Sequence, residues 1–104
     1  MIAMLNLTYP GHIIKQVVGA FMSPDMPKRP ESVVKELCSI VYSDDSGYHT
    51  VFMFDVPDAQ VAEFITMQVK RTTFLVTRAP GCSSSLHLGT TVQDGIKNVM
   101  PLMT

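Results

Sequence analysis

Leu37-Cys38-Ser39-Ile40-Val41-Tyr42 and Val51-Phe52-Met53-Phe54 stand on either side of Ser43-Asp44-Asp45-Ser46-Gly47, and this stretch decides the fold. Ser43 to Gly47 are turn formers, so the stretch predicts a β-hairpin. Strand side chains alternate, which sends Val51 and Met53 to one side and Phe52 and Phe54 to the other. A hairpin with one wetted face alternates apolar with polar, and this one is apolar on both faces. Both sides therefore need a cover. A chain of 104 residues must find the second cover in its own C-terminal segment or in another subunit.

The composition fits the second choice. Hydrophobic residues make up 46% of the chain and charged residues only 16%, a lean supply of polar surface for one domain that spans residues 1–104. A domain of this size buries little more than half to two-thirds of its unfolded surface. The formal net charge is −1 and the pI is near 6.2, which gives no basic field for nucleic acid or for an anionic membrane. Lys28-Arg29 and Lys70-Arg71 are isolated pairs that read as solvated surface. Residues 1–10 lack a basic segment followed by a continuous apolar core. The apolar run 13–22 is interrupted by Lys15 and Gln16 and is too short to cross a bilayer. The expectation is a cytoplasmic protein with Cys38 and Cys82 reduced, because two cysteines are no disulfide framework.

Outward from the hairpin, residues 2–8 read as a first strand ended by Tyr9-Pro10-Gly11. A helix over 12–22 carries Ile13, Ile14, Val17, Val18, Phe21 and Met22 on one face. Three prolines in 23–30 exclude helix and interior strand and predict a loop. After the hairpin, Val56-Pro57-Asp58 predicts a turn with Asp58 capping a second helix. Val61, Ala62, Ile65 and Val69 form its expected buried stripe, with Phe64 beside them. Residues 72–77 are rich in β-branched side chains, and we place a break after Arg71, the alternative being a helix that runs on to Arg78. Residues 83–88 read as an edge strand with Leu86 and Leu88 on its apolar side. Residues 91–100 form a short amphipathic helix with Val92, Ile96, Val99 and Met100 on one side.

The order strand, helix, strand, strand, helix, strand is the split βαβ pattern of the α+β ferredoxin-like fold, an antiparallel sheet with two helices on one face. In element order, size and its two-faced hairpin, the chain resembles the dimeric α+β barrel superfamily of small cytoplasmic proteins. That resemblance spans about residues 2–88 and implies a face-to-face homodimer with a cleft between each sheet and its helices or loops. The superfamily includes cofactor-independent monooxygenases, small-molecule isomerases, haem-handling proteins and ligand sensors, so the fold does not choose a function.

The candidate ligand-binding residues are Tyr9, His12, Tyr48, His49 and Arg78. His12 opens the first helix, where free N–H groups meet anions, and its imidazole titrates near neutrality; the competing reading is a plain surface residue. His49 shares a strand face with Val51 and Met53, while Tyr48 shares the other with Thr50 and Phe52. His87 falls on the polar side of an edge strand. No metal site is expected, since Cys82 and His87 match no ligand spacing and Cys38 reads as a small buried hydrophobe. Cys82, after Pro80-Gly81, is either inert or an exposed thiol activated by Arg78 or by a helix end. Ser83-Ser84-Ser85 lacks a nucleophile elbow, and Asp44-Asp45 reads as turn chemistry. Eight methionines suit an adaptable cavity or interface, or a gap-filled core.

These residues support a homodimer without cofactor that binds a small, partly apolar ligand or a partner protein. The alternative is a cofactor-independent monooxygenase-like or isomerase-like enzyme, with His12 or His49 as acid/base, Tyr9 or Tyr48 orienting substrate and Arg78 holding an anionic group. A structural subunit of a larger complex is a third reading.

Overall fold

Every second residue of the first strand, β1 (Ile2–Tyr9), is buried: Ala3, Leu5, Leu7 and Tyr9. That alternation requires one covered face, and the rest of the chain supplies it. The structure is a computed structural model that describes residues 1–29 and 35–99, the side chains of Asn98 and Val99 excepted. After β1 come a 3-10 turn (Gly11–Ile13), α1 (Ile14–Met22), β2 (Lys35–Asp44) and β3 (Gly47–Asp55). A second 3-10 turn (Asp58–Gln60), α2 (Val61–Arg78), β4 (Ser83–Gly89) and α3 (Val92–Val99) complete the chain. The four strands form one sheet in the order β2-β3-β1-β4, and each neighbouring pair is antiparallel.

Register fixes which residues share a face. Ala3 pairs with Phe54 and Leu5 with Phe52, so the β3 phenylalanines lie on the buried side of β1. Phe21 of α1 meets Phe52 at 6.1 Å between ring centroids, and Phe64 of α2 meets Phe54 at 5.6 Å. Both long helices therefore cover the same side of the sheet. Met4, Val51 and Met53 lie on the other side, with Ile40 beside Val51 and Cys38 beside Met53. No helix covers that open side among the described residues.

The hairpin is tighter than its sequence suggests, with Asp44 paired to Gly47 across a turn of Asp45 and Ser46. Gly47 takes φ +122°, and a Cβ there would stand 2.8 Å from the Tyr9 carbonyl oxygen. Gly47→Ala thus meets both an unfavourable backbone region and a backbone clash, and costs more than about 1 kcal/mol in urea unfolding. An unchanged midpoint would mean that the turn takes another shape.

Several expectations need correction. The second helix does not break after Arg71 but runs through Val61–Arg78. Its β-branched stretch stays helical although the Thr73 and Thr77 hydroxyls, which donate to carbonyls four residues back at 2.8 Å each, compete for the helix's own acceptors. Leu75, at the centre of the expected break, is buried in the core. The buried stripe is Phe64, Gln68 and Leu75, whereas Val69 is 58% exposed and Ala62 faces solvent. Asp58 makes no capping bond, and its carboxylate instead lies 3.2 Å from the Met1 nitrogen. On α1 only Val17 and Ala20 are fully buried, and Val18 and Met22 are exposed. Cys38 is exposed rather than buried, whereas Cys82 is buried, in keeping with the inert one of its two readings.

The C-terminal helix leaves Val92 78% and Ile96 52% exposed, so these side chains do not seal the open side of their own sheet. Pro30, Met100 and the Val99 side chain, placed in the loop and on the last apolar face by sequence, lie outside what is described. The Cα radius of gyration is 15.7 Å, against about 13 Å for a compact domain of this length.

Candidate functional site

Of the five candidate residues Tyr9 and Tyr48 meet and the others fall in separate places, and no hydrogen bond joins any two of the five among the described residues. Tyr9 and Tyr48 face the helix side and stack at 6.1 Å with an interplanar angle of 11°. The Tyr9 hydroxyl is buried against Thr50 Oγ1 at 3.1 Å, which occupies it structurally. His12 is exposed on the 3-10 turn before α1. Arg78 stands at the C-terminal end of α2, over the Phe74 ring at 4.6 Å and 3.7 Å from the Asp25 carboxylate. Both members of that ion pair are well exposed, so it contributes about 1 kcal/mol at most.

His49 lies on the open side and has the densest polar surroundings of the five. Its Nε2 is 2.9 Å from both Asp44 Oδ1 and Ser46 Oγ, its Nδ1 is 3.1 Å from Thr8 Oγ1, and Tyr42 stacks on the ring at 4.7 Å. Serine, histidine and aspartate thus meet, but not as a nucleophilic triad. A triad sets the carboxylate on one imidazole nitrogen and the nucleophile on the other. Here Asp44 and Ser46 share Nε2, and the Ser46 hydroxyl itself donates to Asp44 at 2.6 Å. The cluster ties the hairpin turn to β1 through Thr8.

Asp44 accepts from the Ser46 hydroxyl, from His49 and from the Ser46 N–H, in that order of effect, and these hold its pKa down at about 2 from an ordinary 3.8. A depressed carboxyl pKa contributes stability that is complete above the unfolded value and lost as pH falls through the folded one. Turn order is accordingly retained at pH 4 and lost approaching pH 2. Carbon-detected titration of the Asp44 carboxyl should give a midpoint near 2, shifted upward in Ser46→Ala. A midpoint near 3.8 in the parent protein would remove the network.

The helix side holds a second polar group that composition hid. Arg29, after α1, lays its guanidinium 4.2 Å from the Phe54 ring centroid and donates from Nη2 to Gln68 Oε1 at 3.2 Å. Arg71 of α2 donates from Nη1 to the Pro27 carbonyl. Burial, then the charge of Arg71, lowers the Arg29 pKa to about 10 despite an opposing effect of Glu36, and burial lowers that of Arg71. Arg29 Nε is buried without an acceptor among the described residues. Both arginines line a cavity of about 10 Å³, over a floor that includes Leu5, Phe21 and Leu75. A second cavity of about 190 Å³ lies between α2 and β4, lined by Val69, Thr73, Ser84 and Leu86, and shares Leu5, Gln68 and Thr72 with the first. None of the five sequence candidates lines either cavity.

The signal for this site was present in the helical period. Gln68, Arg71 and Leu75 follow Phe64 at four, seven and eleven residues, so both polar residues sit on the buried stripe. Placing a helix end at Arg71 had turned that residue into an ordinary C-terminal cation. Among the described residues, no group of three His, Cys, Asp or Glu side chains converges to hold a metal. No described helix is long and apolar enough to cross a membrane.

The fold defines an α+β protein with a four-stranded antiparallel sheet and three helices. Neither a protein-family model nor a curated protein matches this chain. Among solved structures, it is similar to a DUF3240 family protein from Shewanella baltica OS155, at 18% identity and a TM-score of 0.30. The match covers 86% of this chain and 96% of the other.

Proposed function

We propose that the chain is a cytoplasmic subunit of a face-to-face homodimer with ferredoxin-like topology, and that each subunit holds a small, partly apolar ligand between its helices and its sheet. One observation carries the assembly: all ten residues of β2 are exposed, and on the open side, which a face-to-face partner would cover, Ile40 is 56% and Tyr42 46% exposed. Apolar residues on both faces of a strand are not left in water by a finished assembly. The chain exposes 6950 Å², whereas a compact monomer of its mass exposes about 5,800 Å². The strand order β2-β3-β1-β4, with α1 and α2 on one side, supports the split βαβ reading. The two cavities beneath α2 support the ligand.

Light scattering across a dilution series tests the assembly, with native mass spectrometry of the same sample. The expected mass is twice the 11.5 kDa of the chain. A single-chain mass at every concentration overturns the dimer, and a larger closed ring overturns face-to-face pairing.

The cysteines give an independent readout. Cys38 lies on the open side beside Met53, so its labelling by a thiol reagent should slow as protein concentration rises. Cys82 is buried and its pKa is raised by that burial, so it should stay unlabelled until the chain unfolds. Concentration-independent labelling of Cys38 would place the interface elsewhere.

A further inference from the structure

Two half-buried guanidinium groups face one cavity, and among the described residues no carboxylate lies within ion-pair distance of either. Buried charges are normally paired, because removal from water costs several kcal/mol per ion. Here the acceptors are neutral: Gln68 Oε1 for Arg29 and the Pro27 carbonyl for Arg71. The remaining Arg29 Nε–H has no acceptor among the described residues although it is shielded from water. Glu36 acts on Arg29 only at longer range, outside ion-pair contact. An arginine fork presents parallel N–H donors that match the two oxygens of a carboxylate.

The space around the pair narrows the choice of anion. The cavity between the arginines, about 10 Å³, holds one water-sized group, which suits a carboxylate oxygen better than a tetrahedral dianion. The 190 Å³ cavity on the far side of Gln68 and Thr72 is walled by Leu5, Val69 and Leu86. In the wall the two cavities share with Leu5, Gln68 Nε2 donates to Thr72 Oγ1 at 3.3 Å, a length at the weak end of the range. Gln68 Oε1 already occupies the place of an acceptor on Arg29.

We propose that Arg29 and Arg71 bind the carboxylate of a short aliphatic acid, which displaces Gln68 Oε1 and lays its hydrocarbon chain in the cavity between α2 and β4. This rests on the reading of a small, partly apolar ligand held between helices and sheet, and it does not depend on the dimer. The ligand's charge meets both guanidinium groups, and its methylenes cover Leu5, Val69 and Leu86.

The test is an NMR titration of the full chain, following the arginine Nε–Hε signals with sodium butyrate, sodium acetate, 1-butanol and inorganic phosphate as separate probes. Butyrate should give saturable shifts at Arg29 and Arg71. Acetate should bind about fifteen-fold more weakly, the effect of two methylenes. Arg71→Lys keeps the charge and removes the fork, and should weaken butyrate at least ten-fold with the fold intact by amide spectrum. Leu86→Ser, at the far cavity, should reduce the preference for butyrate over acetate without abolishing acetate binding.

No saturable shift from any probe overturns the site. Butanol binding as tightly as butyrate overturns the role of the arginines while leaving an apolar ligand possible, and so separates this proposal from the broader reading. Phosphate binding more tightly than butyrate overturns the carboxylate class. Glu31 lies outside the described residues. If butyrate binds Glu31→Gln but not the parent chain, the acid that fills the site belongs to the protein itself and the proposal fails.

Discussion

Phe54→Ala should lower the unfolding free energy by about 4 kcal/mol, a large share of the roughly 5–15 kcal/mol that holds a domain of this kind together. The ring is 2% exposed and is among the largest fully buried side chains of the chain. It sits where both layers of the core meet, 6.2 Å from Phe52 within β3 and 5.6 Å from Phe64 of α2. Truncation leaves a cavity that sheet and helix, each tied by its own hydrogen bonds, cannot close. Arg29 also loses the ring face beneath its guanidinium, a contact worth about 0.5–2 kcal/mol. Urea unfolding of parent and variant at matched protein concentration measures the loss, since assembly adds to apparent stability. Phe54→Leu should cost clearly less because it refills most of the volume. A loss below about 1 kcal/mol for the alanine variant would mean that Phe54 is not the joint between sheet and helices.

Val51→Lys should raise the dimer dissociation constant at least one-hundred-fold while leaving the subunit folded. Val51 lies on the open side between Ile40 of β2 and Asn6 of β1, so a lysine there can extend into solvent in the single chain. In a face-to-face pair the symmetry brings two such lysines into one apolar interface. Burying unpaired like charges costs several kcal/mol, and 2.7 kcal/mol already corresponds to one hundred-fold. Light scattering of the variant should give a single-chain mass at concentrations where the parent is dimeric, and circular dichroism should show an unchanged fold. A dimer that survives Val51→Lys would move the contact to another surface, such as the exposed apolar side of α3. Ser85→Lys, placed beyond Asn6 on the polar β4 part of the same side, should have a far smaller effect and serves as the control.

Strand alternation was readable because its period is two and admits no compromise. A shift of one residue would have put Ala3, Leu5 and Leu7 in water. The pairing of Phe52 and Phe54 with those residues follows from the same rule. The helix stripe was harder to read. Gln68 is buried and Arg71 half-buried where polarity alone assigns both to solvent, and Val69 is exposed where hydropathy assigns it to the core. Cysteine placement failed for a related reason. Cys38 was judged by its apolar neighbours in sequence, and those neighbours, Leu37 and Ile40, are themselves exposed at the sheet edge.

The candidate site was less legible than the fold. Histidine and tyrosine draw notice by type, yet Tyr9 is committed to Thr50, and His49 to the hairpin turn. The arginine pair comes from residues 42 positions apart that carry no motif and meet only when α2 packs beside the loop after α1. No local pattern encodes such a meeting.

By itself, the sequence determined four strands with two intervening helices and a short third one, and a hairpin apolar on both faces. Local periodicity and turn chemistry act within a few residues, so they survive reading one segment at a time. Tertiary structure alone decided the unbroken course of α2, which side of it is buried, the exposure of β2 and α3, and the cavity between Arg29 and Arg71. Those features arise from packing between segments distant in the chain, where burial of Leu75 and Gln68 outweighs the local preferences of their neighbours.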